Sequence, residues 1–238
     1  MPLVAAAVCP HPPLLVPEVA GTAAGELDDL RAACDAAVTR LLASEPDCVV
    51  VLGAGPETGW IIPPALGTLR PFGVDRTVPL VPALPDGPAV LPLSVTVGAW
   101  LLGRHRVGAR VVGAQVSPDA PADEVAELAR QVDGYRPRVA LLAMGDGSAC
   151  RGEKSPGYHD PRAEPYDRGV ARALADADAG ALLGLDPGLS AELRVAGRAP
   201  WQVLAGAARA AGGAWRGELS YHAAPYGVAY FVAGWELG

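Results

Sequence analysis

Residues 47–53 have the sequence DCVVVLG, and this stretch decides which fold the chain is expected to adopt. Positions 48–52 are all apolar, and three of them are valine, a β-branched residue that favours extended backbone. Successive side chains of a strand point to opposite faces, so a run without polar alternation predicts a strand that is covered on both faces. A second such run, RVALLAMG at 138–145, predicts another strand of the same kind.

Helical and extended patterns alternate on both sides of these two runs. Further strands are predicted at 3–8 and 109–116, and helices at 22–44, 94–105, 122–132, 164–177 and 200–213. That alternation is typical of an α/β fold, and we expect three layers, α/β/α, around a central, mostly parallel (mixed) sheet. The last two strands, within 217–237, are expected to be antiparallel around the turn APYG. Without an internal repeat or a break in composition, a single domain over residues 1–238 is predicted.

Local sequence features add detail to this prediction. Thr22 is a candidate N-cap of the first long helix, and Pro200 suits the first turn of the last helix. Residues 54–71 are rich in glycine and proline and are expected to form a loop, whereas 72–80 predict an edge strand because Pro79 interrupts them. The buried face of the first long helix is expected to consist of Leu27, Leu30, Cys34, Val38 and Leu41.

The composition argues against several classes of partner. The chain is 50% apolar and 19% charged with a formal net charge of -7, which argues against nucleic acid or an anionic membrane. No apolar run reaches the roughly 20 residues of a membrane span, and the N-terminal MPLVAAAVC lacks the basic segment of a leader. The four cysteines have no CxxC spacing, which favours free thiols in a reducing compartment. We therefore expect a cytoplasmic protein, either monomeric or a homo-oligomer.

Four loops that follow or join predicted strands carry unusual residues. They are CPHPP, GAGPETG, GDGSACRGEKSPGYHD and YHAAPYG, and they contain His11, His159 and His222. Ligands of open α/β sheets bind beyond the carboxyl ends of the strands, so these loops predict a common pocket. The residues expected to frame it are His11, Gly53, Gly55, Asp146, Ser148 and His222. The fourth histidine, His105, is expected to be a solvated cation at a helix end.

Simpler interpretations exist for each loop. GAGPETG is similar to a dinucleotide-binding turn, but Pro63-Pro64 prevents the helix that such a site needs, so glycines of a tight turn are favoured. GDGSAC offers Ser148 or Cys150 as a nucleophile with His159 as its base, although a buried Cys150 is the favoured alternative. His11 alone could simply bond a backbone carbonyl.

Four motifs together resemble a known family. CPHPPLLVPEV, GDGS, SPGYHDPRAEPYDRGVARAL and APYGVAYFVAG, in this order, are similar to the class III extradiol ring-cleavage dioxygenases, the LigB-like superfamily that also includes the Memo proteins. The resemblance implies one α/β domain with a mononuclear non-haem Fe(II) at the strand ends. In the family two histidines and an acidic residue bind the iron, a further histidine acts as acid/base, and catechol and dioxygen take the open positions.

Carried over residue by residue, the family's site is incomplete in this chain. His11 matches the first histidine ligand, but Gly55 stands where the second histidine is expected. The motif GDGSA keeps Asp146 and Ser148 and has Ala149 in place of the acid/base histidine. Near the acidic ligand's position the chain has His222 and Ala223, without a carboxylate. The resemblance therefore implies an altered or lost iron site.

Three functions remain open at this point. The first is a relative of the dioxygenases with doubtful catechol cleavage, in which His11 and His222, helped by Glu57, His159 or Asp160, form a remodelled Fe or Zn site. The second is a metal-free, Memo-like binding or scaffold protein, with a small aromatic molecule as its ligand. The third is a thiol or acid/base transferase that uses Cys150 or Asp146 together with His159.

Overall fold

The computed structural model describes residues 3–238, and this part of the chain forms nine strands and eight α-helices. The strands are β1 (Leu3–Cys9), β2 (Cys48–Ala54), β3 (Gly59–Ile61), β4 (Leu66–Thr68), β5 (Thr77–Pro79), β6 (Arg110–Val116), β7 (Val139–Met144), β8 (Trp215–Ala223) and β9 (Tyr230–Leu237). The helices are α1 (Pro17–Ala20), α2 (Asp28–Ala43), α3 (Leu93–Leu102), α4 (Ala122–Asp133), α5 (Ala163–Ala175), α6 (Ala179–Leu183), α7 (Pro187–Glu192) and α8 (Arg198–Ala211).

Seven strands form one mixed sheet in the order β3-β6-β2-β7-β1-β9-β8. The four central strands, β6, β2, β7 and β1, run parallel to one another. At the edges, β3 pairs antiparallel with β6, and β9 pairs antiparallel with both β1 and β8. The predicted three-layer α/β/α fold with a parallel centre is thus confirmed.

The apolar run of β2 explains why helices cover both faces of the sheet. Val49 and Val51 point into a core shared with α2 and α3, whereas Val50 and Leu52 point into a core shared with α4, α5 and α8. Burial of each such side chain contributes roughly 1.5–3 kcal/mol. We refer to these sides as the α2/α3 face and the α4/α5/α8 face. All five residues predicted for the buried side of the first long helix lie in the α2/α3 core, which confirms that prediction.

The start of the first long helix differs from the prediction. Thr22 lies in a 3-10 helix, Gly21–Leu27, and α2 begins only at Asp28 with Leu27 at its N-cap position. The guanidinium of Arg31 donates hydrogen bonds to the carbonyl oxygens of Leu15 and Ala24 and holds this segment in the tighter winding. Asp28 lies in the first turn of α2, where a negative charge interacts favourably with the helix dipole.

The region from 54 to 80 also differs from the prediction. The expected loop contains β3 and β4, and β5 pairs with β4 in a separate two-stranded sheet instead of extending the main one. Pro79 is the last residue of β5, where its missing N–H does not interrupt the pairing. The other predicted strands and helices agree with the structure, and β8 and β9 are antiparallel as expected.

Helices α6 and α7 were not predicted. Each begins behind an aspartate whose carboxylate accepts a backbone N–H, Asp178 from Ala181 at 2.9 Å and Asp186 from Leu189 at 2.7 Å. Such caps stabilise short helices that have little apolar periodicity of their own. Within residues 3–238, no helix is both long and apolar enough to cross a membrane.

Candidate functional site at the carboxyl ends of the strands

The four loops singled out in the sequence lie along one edge of the sheet. Strands β1, β2 and β7 run parallel, so the loops after Cys9, Ala54 and Met144 leave from the same edge. Strand β9 runs against β1 and begins at this edge, and Ala223 at the end of β8 pairs with Tyr230. The topology therefore brings together the segments that were expected to converge.

His11 and Asp146 form the first polar cluster of this edge. The His11 backbone N–H donates to Asp146 Oδ1 at 2.8 Å, and the ring Nδ1 lies 3.6 Å from the same oxygen. The Gly145 N–H donates to the Cys9 carbonyl at 2.9 Å, which fixes the two loops against each other. His11 Nδ1 is enclosed and has no hydrogen-bond partner among residues 3–238. Small parts of both side chains, 10% for His11 and 14% for Asp146, face solvent.

Electrostatics mark Asp146 as an unusual carboxyl group. Burial raises its pKa, and the nearby His11 ring and backbone N–H only partly oppose this effect. The charge of Asp146 adds to burial in raising the pKa of Tyr230, and it contributes to the raised pKa of Cys34. Both of those residues belong to the core of the α2/α3 face. The His11–Asp146 pair therefore lies at the end of that core.

Gly53 and Gly55 are needed because other side chains occupy the space beside them. An ideal Cβ on Gly53 would lie 2.2 Å from Oγ of Ser94, the α3 residue whose hydroxyl donates to the Ala54 carbonyl at 2.6 Å. A Cβ on Gly55 would lie 2.2 Å from Oε1 of Gln115. Gly53 is part of β2, so close packing, and not the predicted tight turn, explains this glycine. An imidazole at position 55 would require Gln115 to move.

Ser148 belongs to a second cluster, which centres on Asp167. The Ser148 N–H and hydroxyl donate to the two oxygens of Asp167 at 2.9 and 2.6 Å, and Arg151 donates to Oδ2 at 3.0 Å. Both Ser148 and Asp167 are fully buried. Burial raises the pKa of Asp167, while the hydrogen bonds from Ser148 and Arg151 act in the opposite direction. This geometry makes Ser148 an enclosed donor and not an accessible nucleophile.

His222 lies with the second cluster and not with His11. Its ring stacks on Phe231 at 4.8 Å between centroids, and Phe231 belongs to the core of the α4/α5/α8 face. Burial lowers the pKa of His222, and the charge of Asp167 partly opposes this. Strand β9 separates β8 from β1, a backbone distance of about 9–10 Å at ordinary strand spacing. The structure thus does not gather His11 and His222, predicted as a metal-binding pair, into one cluster.

The remaining candidates lie apart from both clusters. His159 and Glu57 are exposed. Arg162 donates hydrogen bonds to Asp160 and lowers the pKa of that carboxyl to about 2. Neither exposed residue is held in position beside His11.

Cys150 and His105 also differ from their predicted roles. The Cys150 thiol is buried and lies 3.5 Å from the carbonyl oxygens of Gly157 and Leu193, and burial raises its pKa. Such a thiol stays protonated, which agrees with the simpler interpretation of a buried cysteine and does not suit a nucleophile. His105 is not the solvated side chain that was predicted, because only 16% of its side chain is exposed and its Nε2 lies 3.3 Å from the Asp35 carboxylate.

The predicted pocket is therefore divided between two faces. His11, Gly53, Gly55 and Asp146 adjoin the α2/α3 core, whereas Ser148 and His222 join Asp167 on the other side. Asp167 was missed by sequence reasoning. A carboxylate between Ala163 and Val170, on the apolar side of the predicted helix, was the signal that could have identified it.

Comparisons with known proteins bear on the fold alone. No family model and no curated protein matches the chain. Its structure is similar to the crystal structure of an uncharacterized protein from Escherichia coli K12, with a TM-score of 0.57 and 16% sequence identity. The likeness covers 99% of this chain and 100% of that one. The three-layer fold thus extends over essentially the full length of both proteins.

Proposed function

We propose that this chain is a diverged relative of the class III extradiol dioxygenases that binds a small aromatic ligand beside His11 and Asp146. We further propose that it does so without the mononuclear iron of that family. The observation that carries the proposal is His11, whose imidazole is held at the strand ends against a buried carboxyl group of raised pKa. The order of the HPP, GDGS and PYGVAYF motifs along the chain supports the family assignment.

The donor groups of this edge do not fit the iron of the family. Among residues 3–238, no group of three histidine, cysteine, aspartate or glutamate side chains could hold a metal ion. Gly55 and Ala149 supply no ligand atoms, and the Gln115 side chain fills the space that a residue larger than glycine would need at position 55. An iron bound by three protein side chains would require these loops to rearrange.

The pair of His11 and Asp146 is suited to a ligand that carries hydroxyl groups. Nδ1 of His11 is enclosed, so a ligand can reach only the exposed parts of the two side chains, 10% of His11 and 14% of Asp146. Imidazole and carboxyl oxygen lie 3.6 Å apart, too far for a good direct hydrogen bond. A phenolic hydroxyl that reaches the exposed edges of both groups could bond to either one.

Calorimetric titration with catechol, in the presence of a chelator, tests this proposal. We expect binding by the native chain and at least tenfold weaker binding by His11→Ala. The matched control is His105→Ala, which removes an imidazole near the other end of the sheet, beside Asp35. Equal affinity of the two variants, or no catechol binding by the native chain, would contradict the proposed site.

A further inference from the structure

Arg198, the first residue of α8, is a buried cation that has no carboxylate partner in the described part of the chain. Only 6% of the residue is exposed, and its two terminal nitrogens donate to neutral oxygens: Gln202 Oε1 at 2.7 Å and the Pro118 carbonyl. Among residues 3–238 it forms no ion pair within 4.0 Å. A guanidinium has five N–H donors, so this arrangement leaves donors for another acceptor.

Two other enclosed arginines, Arg31 and Arg151, form ion pairs with carboxylates, whereas Arg198 does not within residues 3–238. Arg31, of which 7% is exposed, pairs with Asp28, and Arg151 pairs with the buried Asp167. Buried charges in proteins are normally paired, since removing an ion from water is unfavourable by several kcal/mol. A buried charge that residues 3–238 leave without a counter-charge points to an anion supplied from outside.

A cavity of about 530 Å³ lies directly beside Arg198. Its walls come from Arg198 and Gln202 of α8, from the loop between β6 and α4, and from the segment around α7. The volume is in the range of sites for small organic ligands. Leu183 and Leu185 give part of the wall an apolar character that suits the carbon skeleton of such a ligand.

The two helix N-termini near the cavity differ in what they contribute to its electrostatic potential. Helix α8 begins at Arg198 without a side-chain cap and without an acidic residue in its first turn, so its dipole adds to the positive potential. Helix α4 begins at Ala122 on the cavity wall, but Asp123 and Glu124 in its first turn offset its dipole. Asp119 is an exposed carboxylate on the wall and opposes an anion, so the guanidinium must provide most of the attraction.

We propose that this cavity binds the phosphate group of a small phosphorylated molecule, with Arg198 as its anchor. Phosphate matches the fork of donors of a guanidinium, and the charge-assisted hydrogen bonds are among the strongest that proteins form. The lining residues of this cavity do not include His11 or Asp146. The proposal does not depend on the proposed function.

Gln202→Glu is the sharpest variant for testing this site. Gln202 Oε1 already accepts a hydrogen bond from Arg198, so a glutamate of the same shape supplies the missing counter-charge from within the chain. The change also removes the Gln202 Nε2 donor from the Leu183 and Leu185 carbonyls, each 3.1 Å away, so some loss of stability is expected without ligand. The experiment therefore compares the increase in Tm that phosphate causes in each variant, and not the absolute Tm values.

The experiment compares Tm in inorganic phosphate, in phenyl phosphate and in sodium chloride of equal ionic strength. At ten times the Kd, the native chain should gain about 3–6 °C over chloride. Gln202→Glu should lose this increment, whereas the control Arg216→Gln, which removes an exposed arginine of β8, should keep it. Arg198→Lys keeps the charge and should retain a reduced increment.

Two outcomes would overturn the proposal. One is a native chain whose Tm responds no more to phosphate or phenyl phosphate than to chloride. The other is an increment of equal size in Gln202→Glu and the native chain, because general exclusion of phosphate from the protein surface stabilises all variants alike.

Discussion

Asp146 and Asp167 are two carboxyl groups of raised pKa at the same edge of the sheet, and their partners give them different roles. Asp167 accepts three hydrogen bonds, from Ser148 and Arg151, and is fully enclosed. Among residues 3–238, the Asp146 carboxylate accepts a single hydrogen bond, from the His11 backbone, and it keeps an exposed edge. We therefore assign Asp167 to stability, whereas Asp146 is the carboxyl group of the proposed ligand site.

Replacement of Asp167 by alanine should destabilise the fold strongly. Arg151 and the buried hydroxyl of Ser148 would lose their common acceptor, and breaking such a buried pair costs about 3–5 kcal/mol. Urea denaturation measures this loss. Asp160→Ala, which removes a partly exposed carboxylate paired with Arg162, is the control and should cost much less. Equal losses would show that the Asp167 cluster contributes little.

Asp146 should make stability fall as the pH rises. Because its pKa is raised in the folded chain, the folded state keeps this proton where the unfolded state has already released it. The resulting stabilisation is complete below the ordinary aspartate pKa of about 3.9 and is lost as the pH rises through the raised value. Relative to Asp146→Asn, the native chain should lose free energy of unfolding over that range, as measured by urea denaturation at a series of pH values.

Asp35 provides a control of opposite sign. Hydrogen bonds from Arg104 lower its pKa, so its contribution is present above the ordinary aspartate pKa and is lost as the pH falls. Relative to Asp35→Asn, the native chain should therefore gain stability as the pH rises. The raised pKa of Asp146 would be contradicted if the difference in free energy of unfolding between the native chain and Asp146→Asn did not change with pH. It would also be contradicted if that difference changed in the direction expected for Asp35.

At the scale of elements, the close approach of α3 to β2 predicts the effect of adding one methyl group. A Cβ at Gly53 would lie 2.2 Å from Ser94 Oγ and 2.5 Å from Ser94 Cβ, so Gly53→Ala should cost about 1–3 kcal/mol. Gly169 on α5 is exposed, with nothing within 4 Å of an added Cβ, and Gly169→Ala should stabilise by about 0.5–1 kcal/mol. Thermal or urea denaturation of both variants checks the prediction, and a Gly53→Ala chain of native stability would contradict it.

Elements with a strong apolar pattern could be predicted from the sequence, and short ones could not. The apolar runs that form β2 and β7 contain no alternating polar residues and therefore predict strands buried on both faces. The apolar residues of α2 recur with a clear helical period. In contrast, β3, β4 and β5 have three residues each, too few for any periodicity. Helix α7 carried a readable signal, since Asp186 caps it and Pro187 opens it.

At the scale of the whole molecule, the sequence predicted that the site loops lie at one edge of the sheet. It did not predict which side chains lie on the α2/α3 face and which on the α4/α5/α8 face. Convergence follows from strand direction, because parallel strands end at one edge. The position of the His222 ring depends on its stacking against Phe231 on the neighbouring strand, and that of the His11 ring on Asp146, 135 positions away in the sequence. The Asp167 cluster could not be predicted for the same reason, because its hydrogen bonds to Ser148 span 19 positions of the sequence.

The most direct test of the account is to load the protein with Fe(II) under anaerobic conditions and then measure bound iron and catechol ring cleavage on the same sample. Gly55 packs against Gln115, and Ala149 stands where the proposed kinship with the dioxygenases would place an acid/base histidine, so we expect far less than one tightly bound iron per chain and no ring-cleavage product. About one iron per chain that is lost in His11→Ala, together with turnover of catechol, would contradict the account.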